Sequence, residues 1–282
     1  MYWQTSRRQI DLSRPLVMGI LNVTPDSFSD GGRYADPEAA LRRAEAMIAE
    51  GADIIDLGGE STRPGSQPVS ADTEAERTIP IIEAIVKRFD TPISIDTSKS
   101  EVAGRAVDAG AEIINDISGL RFDANMARAA AGRKAGLILM HSRGEFGAMH
   151  SQPAVAEIIG EVTAGLRRSV ETARSAGVAD DAIVLDIGIG FGKTLGQNLE
   201  LIAKLDRLVS EFEPYPILVG TSRKSFIGKI LDDAPPTERL GGSIASALAA
   251  IHNGARIVRV HDVRETVGAI KIAAAIAGEV NK

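Results

Sequence analysis

Apolar residues in this chain follow two alternating patterns. Short continuous runs such as Leu16-Val17-Met18-Gly19-Ile20-Leu21, Leu137-Ile138-Leu139 and Ile183-Val184-Leu185 recur along its length. Between them, apolar positions return every three or four residues, as at Leu41, Ala44 and Ile48. Runs of Ile, Val and Leu predict strands buried on both faces, and the three-to-four spacing predicts amphipathic helices. The expected strands lie near 16–21, 53–57, 92–95, 112–116, 136–140, 183–186, 216–220 and 256–260. The expected helices lie at about 37–50, 72–89, 99–109, 124–134, 154–176, 197–210, 239–252 and 263–277.

A degenerate phrase marks the passage from helix to strand. It reads Glu50-Gly51-Ala52-Asp53-Ile54-Ile55, Ala109-Gly110-Ala111-Glu112-Ile113-Ile114 and Asn253-Gly254-Ala255-Arg256-Ile257-Val258, with Lys134-Ala135-Gly136-Leu137-Ile138-Leu139 as a looser copy. Each predicts a helix ended by glycine, which takes the left-handed conformation at little cost, and then a buried strand. The first helix has its own start signal, Asp36 as N-cap and Pro37 at the first helical position. Eight such units without a composition break predict a closed α/β fold, a (β/α)8 TIM barrel, rather than an open doubly wound sheet. The barrel is expected as a single domain over 1–282, with 1–14 as a lead-in.

Polar residues gather where the chain leaves each strand: Asn22; Glu60-Ser61-Thr62-Arg63; Asp96; Asn115-Asp116; His141; Asp186; Ser222-Arg223-Lys224-Ser225; and Arg259-Val260-His261-Asp262. The opposite turns are Gly-Ala, Thr-Pro or Ala-Gly and serve mainly to reverse the chain. In an α/β barrel the chemistry sits at the carboxyl ends of the strands, so this asymmetry predicts a site-bearing barrel. Two subsites follow from residue type. Asp96, Asn115 and Asp186 are acceptors suited to a planar donor such as an aminopyrimidine edge. Arg63, Arg223, Lys224, Arg259 and His261 form a cationic cluster suited to a phosphate or diphosphate. Asp116 and Asp262 are expected to cap the helices that follow them.

Composition narrows the chemistry further. The 282 residues carry a net charge of −6 and 4% aromatics, which argues against general nucleic-acid binding. The absence of cysteine excludes disulfides, thiolate nucleophiles and Cys-ligated metals. Arg7-Arg8 has a twin-arginine look, but Asp11, Arg14 and Pro15 interrupt the apolar run an export signal needs, so the cytoplasm is expected. Gly188-Ile189-Gly190-Phe191-Gly192-Lys193-Thr194 imitates a phosphate-binding P-loop. Ile187 stands where the first glycine belongs, and the segment follows the sixth strand rather than the first. His141 and His150 lack the HExxH spacing of a zinc site. A metal, if used, is expected to be Mg²⁺ on oxygen ligands such as Asn22 and substrate phosphates.

The strings MGILNVTPDSFSDGG, DLGGESTRPG, SIDTSK, INDISGL, MHSRG, GFGKT, VGTSRKSFIG and RVHDV occur in this order. Over about 15–275 the sequence thereby resembles the dihydropteroate synthases, folate-pathway enzymes targeted by sulfonamide drugs. The resemblance implies condensation of 6-hydroxymethyl-7,8-dihydropterin diphosphate with 4-aminobenzoate, giving 7,8-dihydropteroate and diphosphate. It implies that Asp96, Asn115, Asp186, Lys224, Met140 and Arg259 hold the pterin. Thr62, Arg63, Pro64, Phe28, Phe191 and Ser225 would hold aminobenzoate, Asn22 would bind Mg²⁺, and Arg63, Arg259 and His261 would handle diphosphate. Asp96, Lys224, Arg63, Arg259 and His261 are then the expected catalytic set, in a homodimer with no nucleic-acid or membrane partner. The rival readings are a pterin-binding methyltransferase and a catalytically silent pterin-binding paralogue. A methyltransferase expels no diphosphate and has no use for Asn22 or the Thr62-Arg63 loop, and a silent paralogue would be marked by loss of Asn22, Arg63 or Lys224, all of which are present. The segment 22–32 is expected to close over the site. Departures from the family pattern fall at Ile187, where proline is common, and within 142–155, where Arg143 replaces a frequent glutamine.

Overall fold

The computed structural model describes residues 1–24, 37–61, 66–149 and 152–280. A short antiparallel hairpin of β1 (Tyr2–Gln4) and β2 (Gln9–Asp11) precedes the barrel. The chain then alternates β3 (Leu16–Asn22), α1 (Pro37–Glu50), β4 (Ile54–Gly58), α2 (Ala71–Arg88), β5 (Ile93–Asp96), α3 (Ser100–Asp108), β6 (Ile113–Asp116) and α4 (Met126–Arg133). It continues through β7 (Gly136–Met140), α5 (Ile158–Ser175), β8 (Ile183–Asp186), α6 (Leu195–Ala203), α7 (Leu205–Glu211), β9 (Ile217–Val219), α8 (Ser225–Ile230), α9 (Leu240–His252), β10 (Ile257–Val260) and α10 (Val263–Val280). Strands β3 to β10 pair in parallel, and β10 returns to β3, closing an eight-stranded barrel.

Two apolar layers build it. Met18, Ile54, Ile113, Ile138, Val184, Leu218 and Ile257 fill the inside of the barrel, while Ile55, Leu57, Ile114, Leu139 and Leu185 face the helices. The lead-in is structural. Trp3, fully buried with Leu12 in the interior cluster, plugs the amino-terminal end of the barrel, and its Nε1 donates to the Ala182 carbonyl at 2.9 Å. Gly136 makes room for it, since a Cβ there would lie 3.2 Å from the indole ring. Of the twin arginines, Arg8 ties the hairpin down through Glu112 (Nε to Oε1, 3.1 Å) and Asp90.

The glycine turns stand at Gly51, Gly110 and Gly254, with φ of +100°, +118° and +102°. The looser copy differs: Lys134 takes the left-handed turn (φ +53°) and Gly136 lies inside β7. Aligning Lys134-Ala135-Gly136-Leu137 with Gly51-Ala52-Asp53-Ile54 shows why: the turn falls three residues before the strand's first buried Ile or Leu, and that position is Lys134. The helix expected at 197–210 is two, interrupted at Lys204 (φ −110°, ψ 25°). It begins early, at Leu195, because Thr194 and Gln197 form a reciprocal capping box. Asp36 lies outside the described residues.

Candidate active site

Side chains on a strand alternate between faces, so the residue two beyond an interior apolar position also points inward. Applied to the interior layer, this rule builds the site. Ile54 leads to Asp56, Ile113 to Asn115, Ile138 to Met140, Val184 to Asp186 and Ile257 to Arg259, each one pleat nearer the carboxyl end. On β5 the interior position below Asp96 is the buried Ser94. The register pairs Gly58 with Asp96, Asp96 with Asn115, and Met140 with Asp186. A Cβ on Gly58 would lie 3.5 Å from Asp96 Cβ and 3.6 Å from Asn22 Oδ1, so Asn22 and Asp96 meet across a glycine.

Arg259 is the hub of this polar layer. Its Nε donates to Asp56 Oδ2 at 2.5 Å and its Nη2 to Asp96 Oδ2 at 2.6 Å, while Asn115 Nδ2 reaches Asp56 Oδ2 at 3.2 Å. Burial alone would lower the guanidinium pKa, but Asp56 and Asp96 outweigh it and hold the group charged. Burial pushes the Asp96 carboxyl up to about 7, against the opposing pull of Arg259 and with help from the charges of Asp56, Glu74 and Asp116. Asp186 is also raised by burial, with Lys224 pulling the other way, and its Oδ1 accepts from Gly188 N at 2.7 Å. Lys224 is lowered to about 8 by burial, opposed by Asp186. Its ammonium donates to the Ile189 carbonyl and stands 4.5 Å from the centre of the Phe191 ring. Ser225 is exposed at the start of α8, next along the chain. His261 Nδ1 lies 3.0 Å from Ser222 Oγ.

The P-loop-like segment binds its own lysine instead of a phosphate. Lys193 Nζ donates to three carbonyls, Gly188 (2.8 Å), His141 (3.2 Å) and Phe191 (3.2 Å). Burial lowers its pKa to about 7. The loop so wound carries Phe191 to Lys224. Only glycine fits at 188, where φ is +65° and a Cβ would lie 1.8 Å from the His141 carbonyl oxygen.

Several expectations need correction. The cationic cluster is largely compensated: Arg259 carries two carboxylates, and Arg223 turns to Asp262 (Nε to Oδ2, 3.1 Å). Arg223 leaves the mouth because its turn is fixed by Ser243 of α9, whose Oγ accepts from Arg223 N at 2.9 Å. Asp262 does precede α10, and its carbonyl accepts from Thr266 N at 3.1 Å, but its carboxylate serves Arg223 rather than the helix end. Asp116 caps a turn instead of a helix, accepting from Ser118 N (2.8 Å) and Leu120 N (2.7 Å). It and His141 follow inward residues, so the same alternation turns both out of the mouth. Phe28, Thr62, Arg63 and Pro64 lie outside the described residues, as does most of the segment 22–32. Asp56 and Lys193 were not among the expected site residues. The signal for Asp56 was a lone carboxylate inside the apolar run Ile54-Ile55-Asp56-Leu57.

As a surface, the mouth offers acceptors from β5, β6 and β8 around two cations, Lys224 and Arg259. It can hold a flat heterocycle by its N–H edge and stabilise negative charge beside it. Among the described residues no cluster of three or more His, Asp or Glu could hold a metal by itself.

The family described as pterin binding enzyme matches residues 18–261. Dihydropteroate synthase of Synechocystis is 49% identical over 263 residues, covering 93% of this chain and 90% of that one. The crystal structure of Burkholderia cenocepacia dihydropteroate synthase complexed with 7,8-dihydropteroate has 42% identity and a TM-score of 0.89, covering 99% of this chain and 98% of that one. Xanthomonas albilineans dihydropteroate synthase with 4-aminobenzoic acid has 40% identity and a TM-score of 0.91, covering 98% of each chain.

Proposed function

The chain belongs to the pterin binding enzyme family, among its dihydropteroate synthases, and we propose that its barrel mouth performs the reaction as follows. The enzyme condenses 6-hydroxymethyl-7,8-dihydropterin diphosphate with 4-aminobenzoate. The bond between the pterin methylene carbon and the diphosphate oxygen breaks, and the electron pair leaves with diphosphate. The amine nitrogen of aminobenzoate then supplies the pair for the new carbon–nitrogen bond and loses a proton to solvent.

The observation that carries this reading is the inward polar layer of Asp56, Asp96, Asn115, Asp186 and Arg259 directly above an apolar barrel interior. Asp96, Asn115 and Asp186 take the pterin edge, with Met140 beneath the ring. Lys224 stands between the pterin acceptors and Phe191, where aminobenzoate would lie with Ser225 at the rim. An electron-rich pterin stabilises positive charge on its methylene carbon. The chain therefore has to hold the ring and stabilise the departing oxygen, as Arg259 and His261 would do with Arg63. An aromatic amine is neutral at pH 7, so no strong general base is needed. Bond cleavage would precede attack, with the ionised Asp96 close to the developing cation.

Mg²⁺ fits the donor set. Asn22 offers one amide oxygen beside Asp96, and a hard cation that keeps several waters and takes substrate phosphate oxygens needs few protein ligands. Asn22 would hold the ion, whose contribution is to neutralise diphosphate charge. A homodimer is also part of this proposal. Leu199 of α6, Ile230 at the end of α8, Leu240 of α9 and Ile272 and Ile276 of α10 are exposed apolar residues on neighbouring outer helices. No helix among the described residues is long and apolar enough to cross a membrane, and the cytoplasm is the proposed location.

The test is diphosphate release from the pterin diphosphate with Mg²⁺ and 4-aminobenzoate. Dihydropteroate should form in equal amount, and a sulfonamide should compete with aminobenzoate. Absence of dihydropteroate would refute the assignment. Diphosphate release that strictly required the amine would refute cleavage before attack.

A further inference from the structure

A cavity of about 510 Å³ lies outside the barrel wall, between α5 and the turns that follow β6 and β7. Strand β7 divides it from the mouth: Met140 points into the barrel, and His141 turns outward against Gly165 of α5. Met140 borders it, with its carbonyl oxygen against Gly119, but none of Asp96, Asn115, Asp186, Lys224 or Arg259 lines it. Arg121, Arg143 and Arg168 do, from three different elements, together with Glu161, Ser142 and His141.

Arg121 and Arg143 are held in place by neutral acceptors, and Arg168 stands exposed on α5. Arg121 donates from Nη2 to Ser142 Oγ (2.8 Å) and the Gly144 carbonyl (3.1 Å), and from Nε to the Ser118 carbonyl (3.1 Å). Arg143 Nη1 donates to the Pro153 and Gly192 carbonyls, each at 2.7 Å, which ties the turn after β7 to the glycine loop. Carbonyl and hydroxyl acceptors position a guanidinium but leave its charge. None of the three arginines makes an ion pair among the described residues. Glu161 is the single carboxylate on the wall, and Glu145 and Asp116 act on Arg121 from outside it, so the wall itself carries more cationic than anionic groups in a protein whose net charge is −6.

A second observation points the same way. His141 is 6% exposed, and its Nδ1 is buried with no hydrogen-bond partner. A buried polar group is ordinarily paired, and this nitrogen, with almost no exposed surface of its own, lacks a partner just behind the wall that Arg121, Arg143 and Ser142 help to form. Burial, reinforced by Lys193, Arg121, Arg143 and Arg168, holds this imidazole neutral, its pKa lowered to about 2. A neutral imidazole donates one hydrogen bond without adding charge.

We propose that this cavity is a second binding site, separate from the barrel mouth, that takes a phosphate dianion, free or as the head group of a small phosphate monoester. The excess of guanidinium groups on the wall suits a group that is dianionic at neutral pH, and planar guanidinium forks match its oxygens. The site stands independently of the reaction assigned to the mouth.

Calorimetric titration of the full chain with inorganic phosphate in an anion-poor buffer tests this, comparing wild type with Arg168→Glu and Arg168→Gln. Arg168 is exposed on α5, so both variants should keep the wild-type circular dichroism and Tm. The wild type should bind one more phosphate equivalent than Arg168→Glu, or bind it at least tenfold more tightly, with Arg168→Gln between them. Glycerol phosphate separates the sources: tighter binding than phosphate identifies a monoester ligand, and equal binding identifies the free ion. Identical phosphate isotherms for the three proteins, or acetate binding as tightly as phosphate, would overturn the proposal.

Discussion

Acidification should empty the pterin subsite through Asp96. In the proposed binding mode the ionised carboxylate accepts hydrogen bonds from a pterin N–H edge; protonated, it loses half of that capacity and its charge. Burial raises its pKa to about 7, so its ionised form is the majority above that pH and is lost as pH falls through it. At pH 6 roughly one molecule in ten, and at pH 5 roughly one in a hundred, keeps the charge, which corresponds to a tenfold loss of affinity, about 1.4 kcal/mol, per pH unit. The assay is equilibrium binding of a hydroxymethylpterin lacking phosphate, so that no phosphate proton titrates in the same window. Wild type should hold its affinity from pH 8 to about 7 and then lose it with unit slope. Asp96→Asn should bind more weakly at pH 8 and show no such limb. Arg259→Met removes the cation that opposes burial, so its limb should move to higher pH. A flat profile between pH 5 and 7 would refute the reasoning. A limb that persists in Asp96→Asn would transfer it to Asp186, whose carboxyl is raised by the same cause.

The remaining predictions concern the frame around the site. Trp3→Ala should cost about 3–5 kcal/mol in chemical denaturation, because the indole is fully buried and its Nε1 bonds Ala182. It should leave kcat at 25 °C unchanged, since the ring fills the end of the barrel opposite the mouth. Gly188→Ala should destabilise by more than about 3 kcal/mol or fail to fold, its Cβ colliding with the His141 carbonyl oxygen at 1.8 Å. Gly132→Ala, in α4 with nothing within 4 Å, is the control and should stabilise by about 0.5–1 kcal/mol in the same denaturation series. Asn22→Ala should weaken Mg²⁺-dependent turnover far more than equilibrium pterin binding, and equal loss of both would make Asn22 a structural residue.

The chain's periodicity already contained the barrel. Eight β-branched runs, each answered by an amphipathic stretch, leave few architectures that bury every strand on both faces, and the glycine phrase set the turns at residues 51, 110 and 254. The strand-end acceptors Asp96, Asn115 and Asp186 were legible for the same reason, because position at the carboxyl end of a buried strand is a local property. Family motifs added roles that no spacing supplies.

What the linear pattern left open was the direction and pairing of charged groups. Asp116 and His141 stood at strand ends like their neighbours, yet the pleat turns them outward, and one residue of register decides between mouth and wall. Arg223 and Arg259 both read as free cations. Closure of β10 onto β3, and of β4 onto β5, places Asp56 and Asp96 around Arg259, while α9 directs Arg223 to Asp262. Lys193 read as a failed phosphate binder, and only the folded loop shows its three carbonyl partners. Apolar periodicity is set by each element's own burial and is written locally, residue by residue. Charge compensation and pKa depend on distances between residues as far apart in sequence as Asp56 and Arg259, and closing the barrel is what fixes those distances.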